Sequence, residues 1–156
     1  MKQILIILIA FTLLMLPCQA YSAVITAASA SYAHVSAAVS SASAGDTVNV
    51  PAGTETWDTQ LLITKSLYLI GAGVGNTVIK NGIVPADTMI YYYPLDYEIG
   101  DQPFRLSGFT FDANGDRVLS LGSGKSAPFT RQTKVRVDHN SFINTGAESG
   151  GAGIFN

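Results

Sequence analysis

One segment of the chain, residues 31–44, carries apolar residues at the spacing of an amphipathic helix. Four of them recur on one face: Tyr32, Val35, Val39 and Ala42. Ser29 or Ser31 can cap the start of this helix, and Gly45 is a typical stop signal. The pattern therefore predicts a helix over residues 31–44.

After Gly45 the pattern changes to short apolar or alternating runs, separated by turns rich in Gly, Pro, Asn and Asp. Strands of three to five residues with no helices between them do not fit a doubly wound α/β sheet. They favour a chain that turns a corner every few residues. The predicted strands are residues 46–50, 61–63, 67–70, 77–79, 89–91, 104–106, 109–111, 118–121, 134–137 and 141–143.

Two of these strand regions are copies of each other. Residues Arg105–Ala113 and Arg136–Asn144 align at an offset of 31 residues, with arginine over arginine and phenylalanine over phenylalanine. A weaker copy, Tyr68–Gly71, begins 37 residues before the first. Repeats with a period of about 20–50 residues indicate a stacked solenoid or a propeller, in which each unit buries its apolar face against its neighbours.

Three segments resemble a known family: residues 35–54, Leu67–Gly73, and the repeats that end in Asp138–Phe142. They are similar to the opening coils of the right-handed parallel β-helix of the pectin-lyase-like superfamily. The resemblance implies an all-β solenoid whose first coil is covered by a short N-terminal helix. We therefore expect an N-terminal segment with a capping helix over residues 21–45, and β-helix coils over residues 46–156. Because residues 150–156 read as the start of another strand, we expect the solenoid to be a fragment, truncated at its C-terminus.

The first 20 residues have the organisation of a secretory signal peptide. Lys2 precedes an apolar core from Ile4 to Leu16, and the small residues Cys18 and Ala20 stand where a signal peptidase reads the chain. The apolar run is shorter than the roughly 20 residues that a spanning helix needs. We expect cleavage after Ala20 and secretion to the periplasm or outside the cell, with no membrane segment in the mature protein. Cleavage also removes the only cysteine, so no disulfide is expected.

The charge balance narrows the class of partner. The chain has nine basic and 11 acidic residues, and signal cleavage removes only Lys2 from this count. A mildly negative protein without clustered positive charge is unlike a nucleic-acid-binding protein. The resemblance implies a polysaccharide as the substrate class, so a polysaccharide is the candidate partner.

Strand alternation selects the candidate binding residues. It sends Leu69, Leu106, Val135 and Val137 inward, and it places Tyr68, Arg105 and Arg136 in one column on an outer face. Arginine binds carboxylates in a bidentate fork. One interpretation is that the two arginines line a groove for an acidic sugar chain and that Tyr68 stacks on it. The alternative is that they are solvated or pair with Asp101, Asp112 or Asp138.

Asp138 and His139 complete the set of candidate site residues. Residues 135–139, Val-Arg-Val-Asp-His, resemble a strand-end motif of the pectate lyases in which Trp stands in place of Arg136. The resemblance would imply calcium, but residues 140–147 contain no carboxylate, so no ligand cluster is seen and the cofactor stays open. The same sequence pattern also occurs in β-helix repeats with a purely structural role, where the side chains of turn asparagines form hydrogen bonds to backbone groups. Asn140 and Asn114 fit that role.

Other features give weaker signals. Gly71–Asn76 is glycine-rich, but β residues follow it rather than a helix, so it predicts a corner and not a nucleotide site. Trp57 and the aromatic run Tyr91–Tyr97 could stack on sugars or fold back over the coil. His34 is expected to be solvated or packed. We expect a carbohydrate-binding or carbohydrate-active module for acidic glycan, in the manner of a polysaccharide lyase or hydrolase. The alternative is a non-enzymatic surface or adhesive protein.

Overall fold

The chain forms short parallel strands that follow one another closely in sequence. A computed structural model describes residues 22–85, 87–93, 103–121 and 134–146. In these residues one helix, α1 (Tyr32–Ser41), precedes most of the strands. The strands are β1 (Val24–Thr26), β2 (Thr47–Val50), β3 (Gly53–Trp57), β4 (Leu61–Ile63), β5 (Tyr68–Gly71), β6 (Thr77–Asn81), β7 (Ile90–Tyr92), β8 (Phe104–Ser107), β9 (Thr110–Asp112), β10 (Leu119–Leu121), β11 (Val135–Asp138) and β12 (Ser141–Ile143).

These strands form three parallel sheets within the described residues. The first sheet has the order β1-β2-β5-β8-β11, the second β3-β6-β9-β12 and the third β4-β7-β10. From β2 onward the chain visits the first, second and third sheets in turn and then returns to the first, one strand further along. The fold is thus mostly β with parallel sheets and one short helix, which is compatible with a β-helix-like solenoid. The predicted signal peptide and residues 150–156 lie outside the described residues.

The register of the sheets confirms the alignment of the sequence repeats. Arg136 pairs with Arg105 in the first sheet, and Phe142 pairs with Phe111 in the second. Tyr68 pairs with Arg105, as the weaker copy predicts. Between these two coils the offset differs from sheet to sheet, because it is 37 residues for Tyr68 and Arg105 in the first sheet and 32 residues for Val78 and Thr110 in the second. Loops of different length between the strands absorb this difference.

The core consists of the inward rows of the three sheets. Leu69, Leu106 and Phe111 have no solvent exposure, and Val135 and Val137 pack against the core while remaining half-buried. The rings of Phe111 and Phe142 are stacked, with centroids 5.8 Å apart. Each coil therefore buries its apolar row on the next one, as expected of a repeat architecture.

Helix α1 packs beside the first strands through Val35, Ala38 and Val39. Trp57, fully buried at the end of β3, donates from its indole Nε1 to the carbonyl oxygen of Ala30 at 3.0 Å. Its ring also meets that of Tyr32 edge to face at 6.0 Å. These contacts hold the start of the helix against β3.

The helix ends three residues before the predicted Ala44, and the reason is visible in its last turn. Ala42 is already extended, with φ −68° and ψ 149°. The Nζ of Lys65 donates to the carbonyl oxygen of Ala42 at 2.6 Å, and the Asp46 carboxylate accepts from the backbone N–H of Ser43 at 2.7 Å. Ser31 occupies the N-cap position, but its side chain makes no capping hydrogen bond.

Two strands were not predicted from the sequence. β1 pairs with β2 and extends the first sheet, and β3 begins at Gly53, where the pattern predicts only a turn. The inward residues of β3 include Gly53 and Glu55, because Glu55 is in register with the buried Ile79. With Trp57 as the one large apolar residue of its inward row, the strand lacks the repeated alternation that identifies strands in a sequence.

The predicted glycine corner is confirmed, and it shows why glycine is needed there. The segment that begins at Gly71 turns the chain from β5 into β6. Gly108, with φ +83°, stacks directly on Gly71, and a Cβ at Gly108 would lie 2.5 Å from the Gly71 carbonyl oxygen. Both the left-handed backbone and the close approach exclude larger residues.

Candidate functional site

The outer face of the first sheet brings three of the predicted site residues into one row. Phe104 and Leu106 are buried on either side of Arg105, so strand alternation turns the Arg105 side chain outward. Tyr68 on β5 and Arg136 on β11 are the register partners of Arg105 on its two sides. Neighbouring strands lie about 4.8 Å apart, so the two guanidinium groups belong to one local cluster.

The anion between the two arginines is Asp138. Arg105 donates two hydrogen bonds to this carboxylate, from Nε to Oδ1 at 2.8 Å and from Nη2 to Oδ2 at 2.9 Å. Arg136 reaches Oδ2 from its own Nη2 at 2.8 Å. Of the three alternative partners considered for the arginines, the structure therefore shows Asp138. Asp101 lies outside the described residues, and Asp112 bonds instead to Asn144 at 2.8 Å.

These contacts shift the protonation equilibria of the cluster. The hydrogen bond from Arg105 holds the pKa of the Asp138 carboxyl far below its ordinary value, against the opposing effect of partial burial. The bond to His139 and the charge of Arg136 act in the same direction. In return, the hydrogen bond to Asp138 raises the pKa of the Arg105 guanidinium. The Asp138 carboxyl is therefore ionised at neutral pH.

The two arginines differ in how much of their side chains remains available. The side chain of Arg105 is 33% exposed and that of Arg136 is 65% exposed, while Asp138 is 17% exposed. Arg105 also approaches the buried hydroxyl of Ser107 at 3.4 Å. Arg105 is thus held in place by several contacts, whereas most of the Arg136 side chain is exposed to solvent.

His139 lies at the rim of the cluster and not at its centre. Its side chain is 75% exposed, and its Nδ1 lies 3.0 Å from Asp138 Oδ2. The backbone of His139 is left-handed, with φ +54°, and its carbonyl oxygen accepts from the N–H of Gly108 at 3.0 Å. His139 therefore combines a turn position with one ring contact to the carboxylate.

The prediction that Asn140 has a structural role is confirmed. Its Oδ1 accepts from the backbone N–H of Phe109 at 3.0 Å, and its Nδ2 donates to the carbonyl oxygen of Leu106 at 2.8 Å. Thr77 has a comparable role two strands away, where its hydroxyl accepts from the N–H of Ala72 at 2.8 Å. Asn114 is different: it lies exposed in a turn at φ +50°, and its backbone N–H approaches Asp112.

The donor groups around Asp138 do not suit a calcium ion. Calcium takes six to eight oxygen ligands, whereas this carboxylate is engaged by Arg105 and Arg136, whose positive charges repel a cation. Throughout the part of the chain that the structure describes, no group of three or more His, Cys, Asp or Glu side chains could hold a metal ion.

The aromatic candidates separate into buried and outward residues. Trp57 has no exposed surface, so stacking of its ring on a sugar is excluded. Tyr92 also points inward, and its ring stacks on that of Phe104 with the centroids 4.1 Å apart. Tyr91 and Tyr93 are half-buried, and their ring centroids are 5.8 Å apart. The remainder of the aromatic run, residues 94–97, lies outside the described residues. His34 is exposed, and its Nδ1 is 2.8 Å from the hydroxyl of Ser29.

The sequence predicts the row of Tyr68, Arg105 and Arg136, but it does not single out Asp138 as the carboxylate that the two arginines share. A usable signal was present, because Asp138 follows Arg136 by two residues and strand alternation puts both on one face. Ser107 was missed as well. It is the register partner of Asp138 on β8.

The comparisons with known proteins add little to this geometry. No family model matches the chain, and no curated protein matches it. Among solved structures, the Geobacillus virus E2 protein ORF18 is similar over 72% of this chain, with 19% sequence identity and a TM-score of 0.48. The match spans 22% of the length of that protein. No helix of the described residues is both long and apolar enough to cross a membrane.

Proposed function

We propose that this protein is a secreted right-handed parallel β-helix of the pectin-lyase-like type that binds acidic glycan on the outer face of its first sheet. The recurring passage of the chain through three parallel sheets supports the fold proposal. The charged start, apolar core and small residues of the first 20 positions support secretion.

The observation that supports the binding proposal is that Arg105 and Arg136 both form ion pairs with the carboxylate of Asp138. Two guanidinium groups on adjacent strands form a receptor for a planar anion, and a uronate carboxylate is such an anion. Arg136 retains donors that face solvent, and Tyr68 continues the same row. A chain of uronate residues presents carboxylates at regular intervals, which suits a face built from regularly spaced strands.

Retention on immobilised polygalacturonate at low ionic strength tests this proposal. We expect the wild-type protein to be retained and the double variant Arg105→Gln/Arg136→Gln to elute with the unbound fraction. The matched control is Lys80→Gln/Arg117→Gln, which removes the same charge outside the arginine row and should be retained like the wild type. Equal retention of the wild type and the arginine variant would contradict the proposal.

A non-enzymatic surface or adhesive role is a second candidate, and one observation favours it. Asn140 and Thr77 use their side chains to satisfy backbone groups, so the stacking of the coils accounts for these two polar residues. Release of unsaturated uronate from polygalacturonate or alginate, followed by ultraviolet absorbance with and without calcium, separates a lyase from a binding protein. A rise in absorbance would exclude the non-enzymatic role.

A further inference from the structure

Asp138 occupies the place that a ligand carboxylate would take between the arginines. Each of its two oxygens accepts a hydrogen bond from Arg105. Oδ2 also contacts Nη2 of Arg136 and the ring of His139. This is the geometry in which arginine recognises a free carboxylate. The receptor is thus filled by a group of the protein itself.

The position of Asp138 in its row indicates that the carboxylate is not required for stacking. Its register partner on β8 is Ser107, and the corresponding residues on β5 and β2 are Ile70 and Asn49. The preceding coils therefore accept a hydroxyl, an aliphatic group or an amide here. The carboxylate coincides with the one pair of facing arginines in the described part of this sheet.

We propose that Asp138 is an internal competitor that sets the affinity and specificity of the acidic-glycan site. The proposal rests on the binding function proposed above and adds a regulator to the same site. While Asp138 occupies the donors of Arg105, an incoming uronate can form hydrogen bonds chiefly with the exposed donors of Arg136. Arg105 acts as a positioning residue, which keeps Asp138 in the receptor.

Removal of this carboxylate has a consequence opposite to the loss of a binding residue. Replacing Asp138 by Asn or Ser frees the Arg105 fork and removes one negative charge a few ångströms from the ligand. We expect binding of trigalacturonate to become about five-fold tighter at low ionic strength, the scale of one like-charge repulsion in a solvated site. A neutral galactan trimer should bind no better to the variants than to the wild type.

Calorimetric titration of trigalacturonate into the full chain and into Asp138→Asn tests the proposal. The matched control is Asp112→Asn, which makes the same charge change on the second sheet and should leave the affinity within about two-fold of wild type, because Asp112 bonds to Asn144 and not to either arginine. Asp138→Ser provides a second variant, because serine stands at the same position of the preceding coil. Circular dichroism and melting confirm that each variant is folded.

The outcomes distinguish this inference from the binding function on which it rests. Tighter binding by both Asp138 variants, or binding by them where the wild type shows none, supports the competitor role. Arginine-dependent binding by the wild type with equal or weaker binding by the Asp138 variants overturns the competitor role alone. Absence of binding by every protein overturns both proposals. Failure of both Asp138 variants to fold also overturns this one, since the carboxylate would then be a structural requirement.

Discussion

At Asp138, one carboxylate offsets the repulsion of two arginines that the pairing of β8 and β11 places side by side. The arrangement follows from elementary strand geometry. Arg136 and Asp138 share a face because they are two residues apart, and cross-strand pairing then brings Arg105 to the same place. A site of this kind needs no special loop, since alternation and register are enough to assemble it.

The lowered pKa of Asp138 makes a definite prediction about stability and pH. The carboxyl of an unfolded Asp titrates near 3.9, and the folded pKa lies below that value. Asp138 therefore contributes stability above about pH 5, and this contribution is lost as the pH falls through 4 toward the folded pKa. Urea unfolding between pH 5 and pH 2 should show a shallower loss of stability for Asp138→Asn than for the wild type.

The size of this effect is limited by the exposure of the cluster. Hydrogen bonds to charged groups contribute about 1.5–3 kcal/mol, which bounds the difference between the two curves. Asp58→Asn, an exposed carboxylate outside the arginine row, serves as the control and should keep the wild-type slope. Parallel curves for the wild type and Asp138→Asn would show that the ion pair adds no pH-dependent stability.

Asn140 gives a second prediction at the residue scale. Asn140→Ala leaves the N–H of Phe109 and the carbonyl of Leu106 without their side-chain partner, and should lower the free energy of unfolding by about 1–3 kcal/mol. Asn140→Asp keeps an acceptor for Phe109 but puts a carboxylate oxygen in place of the donor to the Leu106 carbonyl, so it should be destabilising as well. Asn76→Ala, which removes an exposed bond of 3.3 Å, is the control and should stay within about 0.5 kcal/mol of wild type. Chemical denaturation measures all three, and equal losses for Asn140→Ala and Asn76→Ala would be inconsistent with the structural role.

The residue-level predictions from sequence succeeded where strand spacing decides the outcome. The row of Tyr68, Arg105 and Arg136 was predictable, because repeat alignment and alternation determine it. The choice of Asp138 over Asp112 was not, because it depends on which side chain completes a three-dimensional hydrogen-bond geometry. The sequence left open whether Trp57 stacks on sugars or packs on the protein, since its burial depends on contact with Ala30 and Tyr32 far away in the sequence.

Among the elements, strands with an apolar inward row were found and those without one were missed. β4 and β12 begin and end where the sequence predicts them. β3 was missed because Gly53 and Glu55 occupy inward positions, and β1 because none of its three residues is fully buried. Their strand character comes from pairing with β6 and β2, which is a tertiary effect.

The stacked glycine turns provide a prediction at the element scale. Gly108→Ala places a methyl group against the backbone of Gly71, in addition to the strain of a left-handed backbone, and should cost more than about 4 kcal/mol or prevent folding. Gly75→Ala is the matched control, because Gly75 has a similar φ of +79° but open space around the added methyl. It should cost about 1 kcal/mol. Thermal melting compares the two, and similar losses would mean that the close approach of the turns is unimportant.

For the whole molecule, the repeated sequence specifies architecture more strongly than activity. The stacked pairs Phe111–Phe142 and Gly71–Gly108, and the Asn140 contacts, all serve the joining of one coil to the next. The arginine row is the part of the repeat that stacking alone does not require. Fold by itself does not determine function, so the proposed activity depends on this one face.

The most direct test is nuclear magnetic resonance mapping of trigalacturonate on the isotopically labelled protein. The account predicts that the side-chain Nε–Hε signals of Arg105 and Arg136, and the backbone signals of β8 and β11, shift in a saturable manner. Signals of the second sheet, including Thr54 and Thr110, should remain in place, and a neutral galactan trimer should move none of them. Saturable shifts confined to the second or third sheet, or no shifts at all, would contradict the assignment of the binding face.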